Sequence, residues 1–328
     1  MECDFVEKIL TVSIAAYNVE KFIKKTLDSF VQPEIMDAIE VFVIDDGGRD
    51  NSLSIARNYA EKYPKTFFPV HKENGGWGST VNYAMEHASG KYFKILDGDD
   101  WFEKDNLVDF IDLLKVVDTD IVYTPYILVD SETENPISTV GEVNESYCGQ
   151  IIEMSEASKM LDFAMHNMTV KSKLLRENKV KLLEHCFYTD TEFFIKSVAN
   201  SKNVYVDDKA IYCYRVGREG QSVSLTGLKK HFDEWEKVCS TLLSYYSNLE
   251  TSKRCLIEAG VKTYLVTYGY TAYLKMGMLE GIKKFDDMIK RQYPELYPTD
   301  VRKIRLLRLT GFSGVVFKLL VKRALNKI

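Results

Sequence analysis

No run of about 18 apolar residues occurs in this chain, so no segment reads as a membrane-spanning helix. CxxC pairs are also missing. The cysteines Cys3, Cys148, Cys186, Cys213, Cys239 and Cys255 are scattered, which suits reduced thiols better than a disulfide framework or a zinc site. The first residues, Met1-Glu2-Cys3-Asp4, lack the charged-then-apolar layout of a signal peptide, and the expected location is cytoplasmic. His166, His185 and His231 do not form a metal-spaced set. Neither a GxSxG elbow nor a Walker-type loop is found, so serine-hydrolase and P-loop readings have no support. A formal net charge of −5 argues against a general nucleic-acid binder. No Pro/Gly/Ser-rich linker, internal repeat or low-complexity tract is visible.

What the chain has is 328 residues, 45% of them hydrophobic, enough to build one large domain or two ordinary ones. Its charge is uneven. Residues 302–328 carry eight Lys or Arg and no acid, which leaves 35 cations against 48 acids in the rest.

The first 125 residues alternate short apolar runs with helical stripes. Strands are expected at Ile9–Ala16, Ala38–Ile44, Phe67–Val70, Tyr92–Leu96 and Asp120–Tyr126. Between them lie helices near Val19–Phe30, from Asp50 or Ser52 to about Tyr63, Ser79–His87 and Asn106–Val116. Such alternation with short connections implies a mostly parallel sheet covered on both faces. Ligands then bind beyond the carboxyl ends of the strands. Three polar loops lie at those ends: Ala16-Tyr17-Asn18, Asp45-Asp46-Gly47 and Asp97-Gly98-Asp99. Further β-like runs fall at Asn203–Val206 and Ala210–Val216, and from about Leu228 the pattern is helical. A soft boundary near residue 225 divides a domain at 1–225 from a helical region at 226–328.

Leu96-Asp97-Gly98-Asp99-Asp100-Trp101 places three carboxylates in four residues at a strand end. Crowded carboxylates repel one another and resist desolvation. A positive partner is expected among them, and hard oxygen ligands favour Mg²⁺ or Mn²⁺, which commonly hold nucleotide phosphates. A plain acidic turn that caps the next helix through Asp100 is the competing reading.

Four blocks taken together resemble a family 2 glycosyltransferase with the GT-A fold. They are Ser13-Ile14-Ala15-Ala16-Tyr17-Asn18, Val43-Ile44-Asp45-Asp46-Gly47-Gly48-Arg49-Asp50-Asn51-Ser52, Asn74-Gly75-Gly76, and the acidic turn. The likeness covers residues 10 to about 225. It implies an α/β, Rossmann-like, mostly parallel sheet flanked by helices, with a helical C-terminal extension. It implies that Asp46 accepts a hydrogen bond from the base of a UDP-linked donor, that Asp97 and Gly98 lie at its ribose, and that Asp99 binds the metal. Ala16, Tyr17 and Asn18 would border the base, Tyr17 either stacking on it or packing inward. Asn74 and Gly75 would form the loop beside the donor, and Trp77 either covers the sugar or closes that loop on the core. One departure is Val81 before Asn82, where many relatives carry an Arg.

Tyr188-Thr189-Asp190-Thr191-Glu192-Phe193-Phe194 resembles the block that holds the catalytic base, with Thr189 in place of the usual Glu. An acceptor hydroxyl is a poor nucleophile, and a positioned carboxylate can take its proton. Asp190 is the candidate, with a helix N-cap as its plain alternative and Glu192 as runner-up. Arg218, Gln221 and Ser222 resemble a loop that closes over the diphosphate. The Gln-x-x-Arg-Trp signature of processive synthases is absent, so one sugar is expected per encounter.

The expected activity is therefore metal-dependent, inverting transfer of one sugar from a nucleotide-diphosphate sugar to a glycan or lipid-linked acceptor. Two rivals are a sugar-1-phosphate nucleotidyltransferase, whose Gly-rich basic loop is not found after the first strand, and a non-catalytic donor-binding scaffold at the membrane. Residues 301–328 mix cations with apolar residues and are split by Gly311 and Gly314. Three uses fit: lying on an anionic membrane surface as a peripheral anchor, packing on the catalytic domain with a solvated basic face, or self-association into a homo-oligomer.

Overall fold

The computed structural model describes residues 8–217 and 225–325. The chain divides into two compact units, 1–219 and 220–328.

The first unit is built on a sheet whose early strands are β1 (Leu10–Ala16), β2 (Ile39–Asp45), β3 (Phe67–His71) and β4 (Tyr92–Asp97). These four run parallel in the order β3-β2-β1-β4. Every residue of β2 is buried, as are six of the seven in β1, the pattern of strands covered on both faces. Helix Ser52–Lys62 packs on β3 and helix Trp77–His87 on β1. The first helix is shorter than its stripe suggested, running only Ile23–Asp28.

Beyond β4 the pattern changes. The single strand expected at Asp120–Tyr126 is two, β6 (Ile121–Tyr123) and β7 (Tyr126–Asp130), in different sheets. Pro125 falls at the break and has no N–H to give to a ladder. The large sheet continues through β10 (Met168–Lys171), which is antiparallel to both β4 and β6, then through β11 (Asn203–Val206) to β9 (Ile151–Glu153). A second sheet runs β5-β12-β7-β8, with β5 at Trp101–Phe102, β8 at Pro136–Val140 and β12 at Tyr212–Val216. β5 leaves directly from the acidic turn, and its partner β12 comes from more than a hundred residues downstream.

The second unit is helical. Helices Phe232–Asn248, Tyr268–Met276 and Leu279–Gln292 bury Trp235, Leu242, Tyr246, Tyr270 and Phe285. Gly269 permits the close approach, since a Cβ there would meet the Phe285 ring at 2.7 Å. The tail forms two helices, Arg302–Leu309 and Gly314–Leu325, separated at the glycines. Arg308 turns inward. Its guanidinium donates to Asp286 at 2.7 Å, to the Tyr270 hydroxyl at 2.8 Å and to the Tyr297 carbonyl at 2.7 Å. Among the described residues no helix is long and apolar enough to cross a membrane.

Candidate active site

The parallel register brings the informative loops together. Ala16 stands opposite Asp45, and Ala15 opposite Asp97. The Asp46 N–H donates to the Ala16 carbonyl at 2.9 Å and the Gly98 N–H to the Ala15 carbonyl at 3.1 Å. Much of the β1 and β2 motif is scaffolding for this edge. Asn18, at φ +55°, accepts the Arg49 N–H at 2.8 Å. Asp50 accepts the Glu20 N–H at 2.8 Å, and the Ser52 hydroxyl accepts that of Val19 at 3.0 Å. Neither Asp50 nor Ser52 is the N-cap residue; that position falls to Asn51, without a side-chain capping bond. Tyr17 is 55% exposed at this edge, so it does not pack inward.

Asp46 is buried and organises the glycine loop. One of its oxygens accepts the Gly75 N–H and the other the Gly76 N–H, each at 2.8 Å. Lys72 adds an ion pair to the first oxygen at 2.8 Å. Asn74 donates its side-chain amide to the Asp46 carbonyl at 2.9 Å. A carboxylate has about four lone-pair sites, so the Gly76-bonded oxygen can accept a further N–H. Lys72 went unnoticed in the sequence because a lone surface-type lysine carries no motif. Val81 is fully buried.

The acidic turn separates its carboxylates. The Asp100 N–H closes the turn on the Asp97 carbonyl at 3.0 Å. Asp100 is buried and accepts the Tyr212 hydroxyl at 2.6 Å and the Arg215 N–H at 2.8 Å. It does not cap the following helix, whose N-cap is Glu103. Burial, then the charges of Asp99 and Asp97, push its carboxyl well above the usual range. Asp97 accepts the Trp77 indole N–H at 2.7 Å, which ties the glycine loop's helix to the turn. Arg215, itself buried, holds the Asp99 carbonyl through Nε at 3.0 Å and is sandwiched 4.9 Å from both the Phe22 and Trp101 rings. Its role was invisible in the sequence, since β12 is distant along the chain.

The segment that leads to Asp190 is locked to the glycine loop. Gly75 accepts the His185 N–H through its carbonyl. Asn82 donates to the Leu182 carbonyl at 2.9 Å and accepts the Leu182 N–H at 2.9 Å. A Cβ on Gly78 would lie 2.1 Å from the Leu183 carbonyl oxygen, so only glycine permits this approach. Tyr188, at φ +65°, turns the chain into helix Asp190–Asn200. Asp190 is the first helical residue and Thr189 the N-cap, so Asp190 is not the cap. Asp190 is half-buried. Desolvation raises its carboxyl above the ordinary value against the pull of its own and the Thr191 N–H groups. Glu192 is fully buried, paired with Lys196 at 2.6 Å and accepting the Leu183 N–H at 2.8 Å. A carboxylate so enclosed has no route to an acceptor hydroxyl.

Tyr214 joins the two regions. Burial raises its hydroxyl, followed by the charges of Asp97, Asp100, Asp99 and Asp190. One phenol thus feels the acidic turn and the base candidate together. Behind β4, Lys94 is fully buried with its ammonium on the His166 and Met168 carbonyls at 3.0 and 3.2 Å, and burial lowers it to about 7. Arg218, Gln221 and Ser222 lie outside the described residues.

Among the described residues no three His, Cys, Asp or Glu side chains form a ready-made metal cage. With Asp100 turned inward, Asp97 and Asp99 are the partly exposed acids of the turn. One or two carboxylates are what Mg²⁺ takes when substrate phosphates and water complete its shell, so the donor set fits a hard divalent cation.

A strand-end site of this kind, on a mixed sheet of parallel βα units, defines a GT-A fold. Residues 11–179 match the family described as Glycosyl transferase family 2, and the chain belongs to that family; it is a glycosyltransferase, which sets the nucleotidyltransferase reading aside. The minor teichoic acid biosynthesis protein GgaB of Bacillus subtilis is 26% identical over 222 residues, 66% of this chain but only 24% of that longer protein. The S. aureus TarS fragment 1–349 in complex with UDP-GlcNAc superposes with a TM-score of 0.67 at 19% identity, covering 96% of this chain and 90% of that one. The mannosyltransferase PcManGT from Pyrobaculum calidifontis, in complex with GDP-Man and Mn²⁺, gives 0.55 at 17% identity, covering 97% and 86%.

Proposed function

We propose that the protein transfers one sugar from a nucleotide-diphosphate sugar, UDP-linked, to a hydroxyl of a glycan or lipid-linked acceptor, with inversion at the anomeric carbon. The observation that carries this reading is the convergence of the Asp46 loop and the Asp97–Asp99 turn on one strand edge, with the segment leading to Asp190 tied to the glycine loop through His185 and to its helix through Asn82. The solved TarS complex with UDP-GlcNAc supports a UDP donor on this fold, and GgaB's place in teichoic acid biosynthesis supports a glycan-assembly acceptor.

In this reading Asp46 accepts the base N–H through the oxygen bonded to Gly76, while Tyr17 lies over the base and Ala16 and Asn18 border it. Asn74 and Gly75 wall the donor, Asp97 and Gly98 meet the ribose, and Arg218, Gln221 and Ser222 close on the diphosphate. Asp99 would hold Mn²⁺ or Mg²⁺, helped by the neighbouring carboxylate of Asp97. When bound, the cation offsets the negative charge that builds on the departing diphosphate. Asp190 takes the acceptor hydroxyl proton as the oxygen attacks in line. Its carboxyl, raised by desolvation, is once ionised a stronger base than that of an exposed Asp. Arg215 positions Asp99 through the backbone, and closely held groups supply most of the rate through orientation and electrostatics.

The test is release of free nucleoside diphosphate from a panel of UDP-, dTDP- and GDP-sugars, with and without Mn²⁺ and with glycan acceptors added. Metal-dependent release from a UDP-sugar is the expected result. Release that ignores chelation sinks the metal assignment, and preference for a GDP-sugar sinks the UDP assignment.

A further inference from the structure

The two C-terminal helices are amphipathic twice over. Inward, Ile304 and Leu307 of the first and Phe317, Leu320 and Ala324 of the second are buried. Outward, the first helix exposes Arg302, Arg305, Leu306 and Leu309, which are spaced i, i+3, i+4, i+7 and therefore share one face. The second repeats the arrangement with Val315, Lys318, Leu319 and Lys322. Leu309 is 83% exposed, Val315 72% and Leu319 59%. A helix already packed by one apolar face would ordinarily turn a wholly polar face to water. Here each outer face carries two large aliphatic side chains and two cations, paired along the first helix and alternating along the second.

We propose that these outer faces dock on an anionic phospholipid surface. Charge complementarity carries the choice of partner. No acid occurs from 302 to 328, and the one cation of the first helix that turns inward, Arg308, is held by Asp286. A bilayer interface offers anionic phosphates and apolar depth at the same place, which is what the interleaved Leu/Val and Arg/Lys require. A second copy of the same face would bring cations together with no acid on these helices to offset them. With one face of each helix buried in the unit, the side chains insert shallowly and the protein is peripheral. This inference stands independently of the donor and metal assignments.

The experiment is co-sedimentation of the full chain with vesicles of phosphatidylcholine alone or mixed with phosphatidylglycerol. Wild type is expected to pellet with the mixed vesicles only and to be released by salt. Two variants report independently, so one that failed to fold would leave the other. Lys318→Gln/Lys322→Gln should weaken partitioning about thirty-fold, two cations at the surface being removed. Leu309→Ser/Leu319→Ser should weaken it by about tenfold or more through lost apolar contact. Wild type left in the supernatant, or both variants pelleting as tightly as wild type, overturns the proposal. So does sedimentation velocity in which the leucine variant dissolves a dimer that forms without lipid.

Discussion

The acidic turn at Asp97–Asp100 and the helix start at Asp190–Glu192 each bring acids side by side, and each buries one of them. The means differ. Glu192 meets a cation, Lys196, and a backbone N–H. Asp100 meets a phenol and a backbone N–H, with Arg215's guanidinium turned instead to the Asp99 carbonyl and Glu134. Glu192 is therefore enclosed beside a cation, while Asp100 sits among like charges and is driven toward its neutral form. In both segments the buried acid fixes the backbone that presents its neighbour. Asp100 is claimed by partners more than a hundred residues downstream, whereas Glu192 is claimed by neighbours within nine residues.

The strongest way to break this comparison is to exchange the roles. Asp190→Asn should lower turnover by about 10²–10⁴-fold, the usual worth of a positioned base, with UDP-sugar affinity nearly unchanged in calorimetry. Wild-type turnover in that variant would remove Asp190 from the chemistry. Glu192→Gln should do the opposite. It removes the counter-charge of Lys196, leaving that ammonium the Lys181 carbonyl, and should cost about 3 kcal/mol of stability in urea unfolding, whereas Asp190→Asn should leave the urea midpoint almost unmoved. A smaller effect follows from Gly78→Ala, whose new methyl collides with the Leu183 carbonyl. A loss of about 1–3 kcal/mol is expected, together with a fall in kcat, because that segment leads to Asp190; an unchanged Tm and kcat would deny the lock.

Two pH measurements sharpen the picture further. Asp190 must be ionised to act, and its carboxyl is raised by burial. The acid limb of kcat/KM should therefore fall above the ordinary Asp value of 3.8, and a limb at that value would place the base elsewhere. Lys94 supplies the second measurement. Its folded pKa is lowered from 10.5 to about 7, so between those limits the unfolded chain binds more protons and stability rises with pH. Below about 7 both states are protonated, and the burial penalty is present in full. Lys94→Met should flatten that rise, and an equal slope in both proteins would contradict the assignment.

The loops at β1, β2 and β4 were legible because each is a local strand–turn–helix unit whose apolar run and turn residues lie within a few positions. The tail's division was legible for the same reason, at Gly311 and Gly314. What escaped was non-local. β10 and β5 span four and two residues, too few for any periodicity, and their places depend on partners elsewhere in the chain. The conversion of Asp120–Tyr126 into two strands was signalled by Pro125, but the sheet each half would join was not. Arg215 and Lys72 became meaningful only once β12 and the glycine loop had been set beside their carboxylates. Trp77, weighed as core or sugar cover, gives its indole N–H to Asp97, a bond that no local pattern signalled.

The pairing of Trp101 with Cys213 has a consequence for the order in which the protein takes shape. During synthesis β1 to β4 emerge early and can pair with one another. The turn that follows them is completed only when Tyr212 and Arg215 arrive to take Asp100 out of solvent. A nascent chain ending before β12 has its sheet but leaves three like charges crowded at its end, a long loop still to be closed. The acidic turn is thus among the last parts of the first unit to mature, and a truncated product carries the family's motifs without that turn formed.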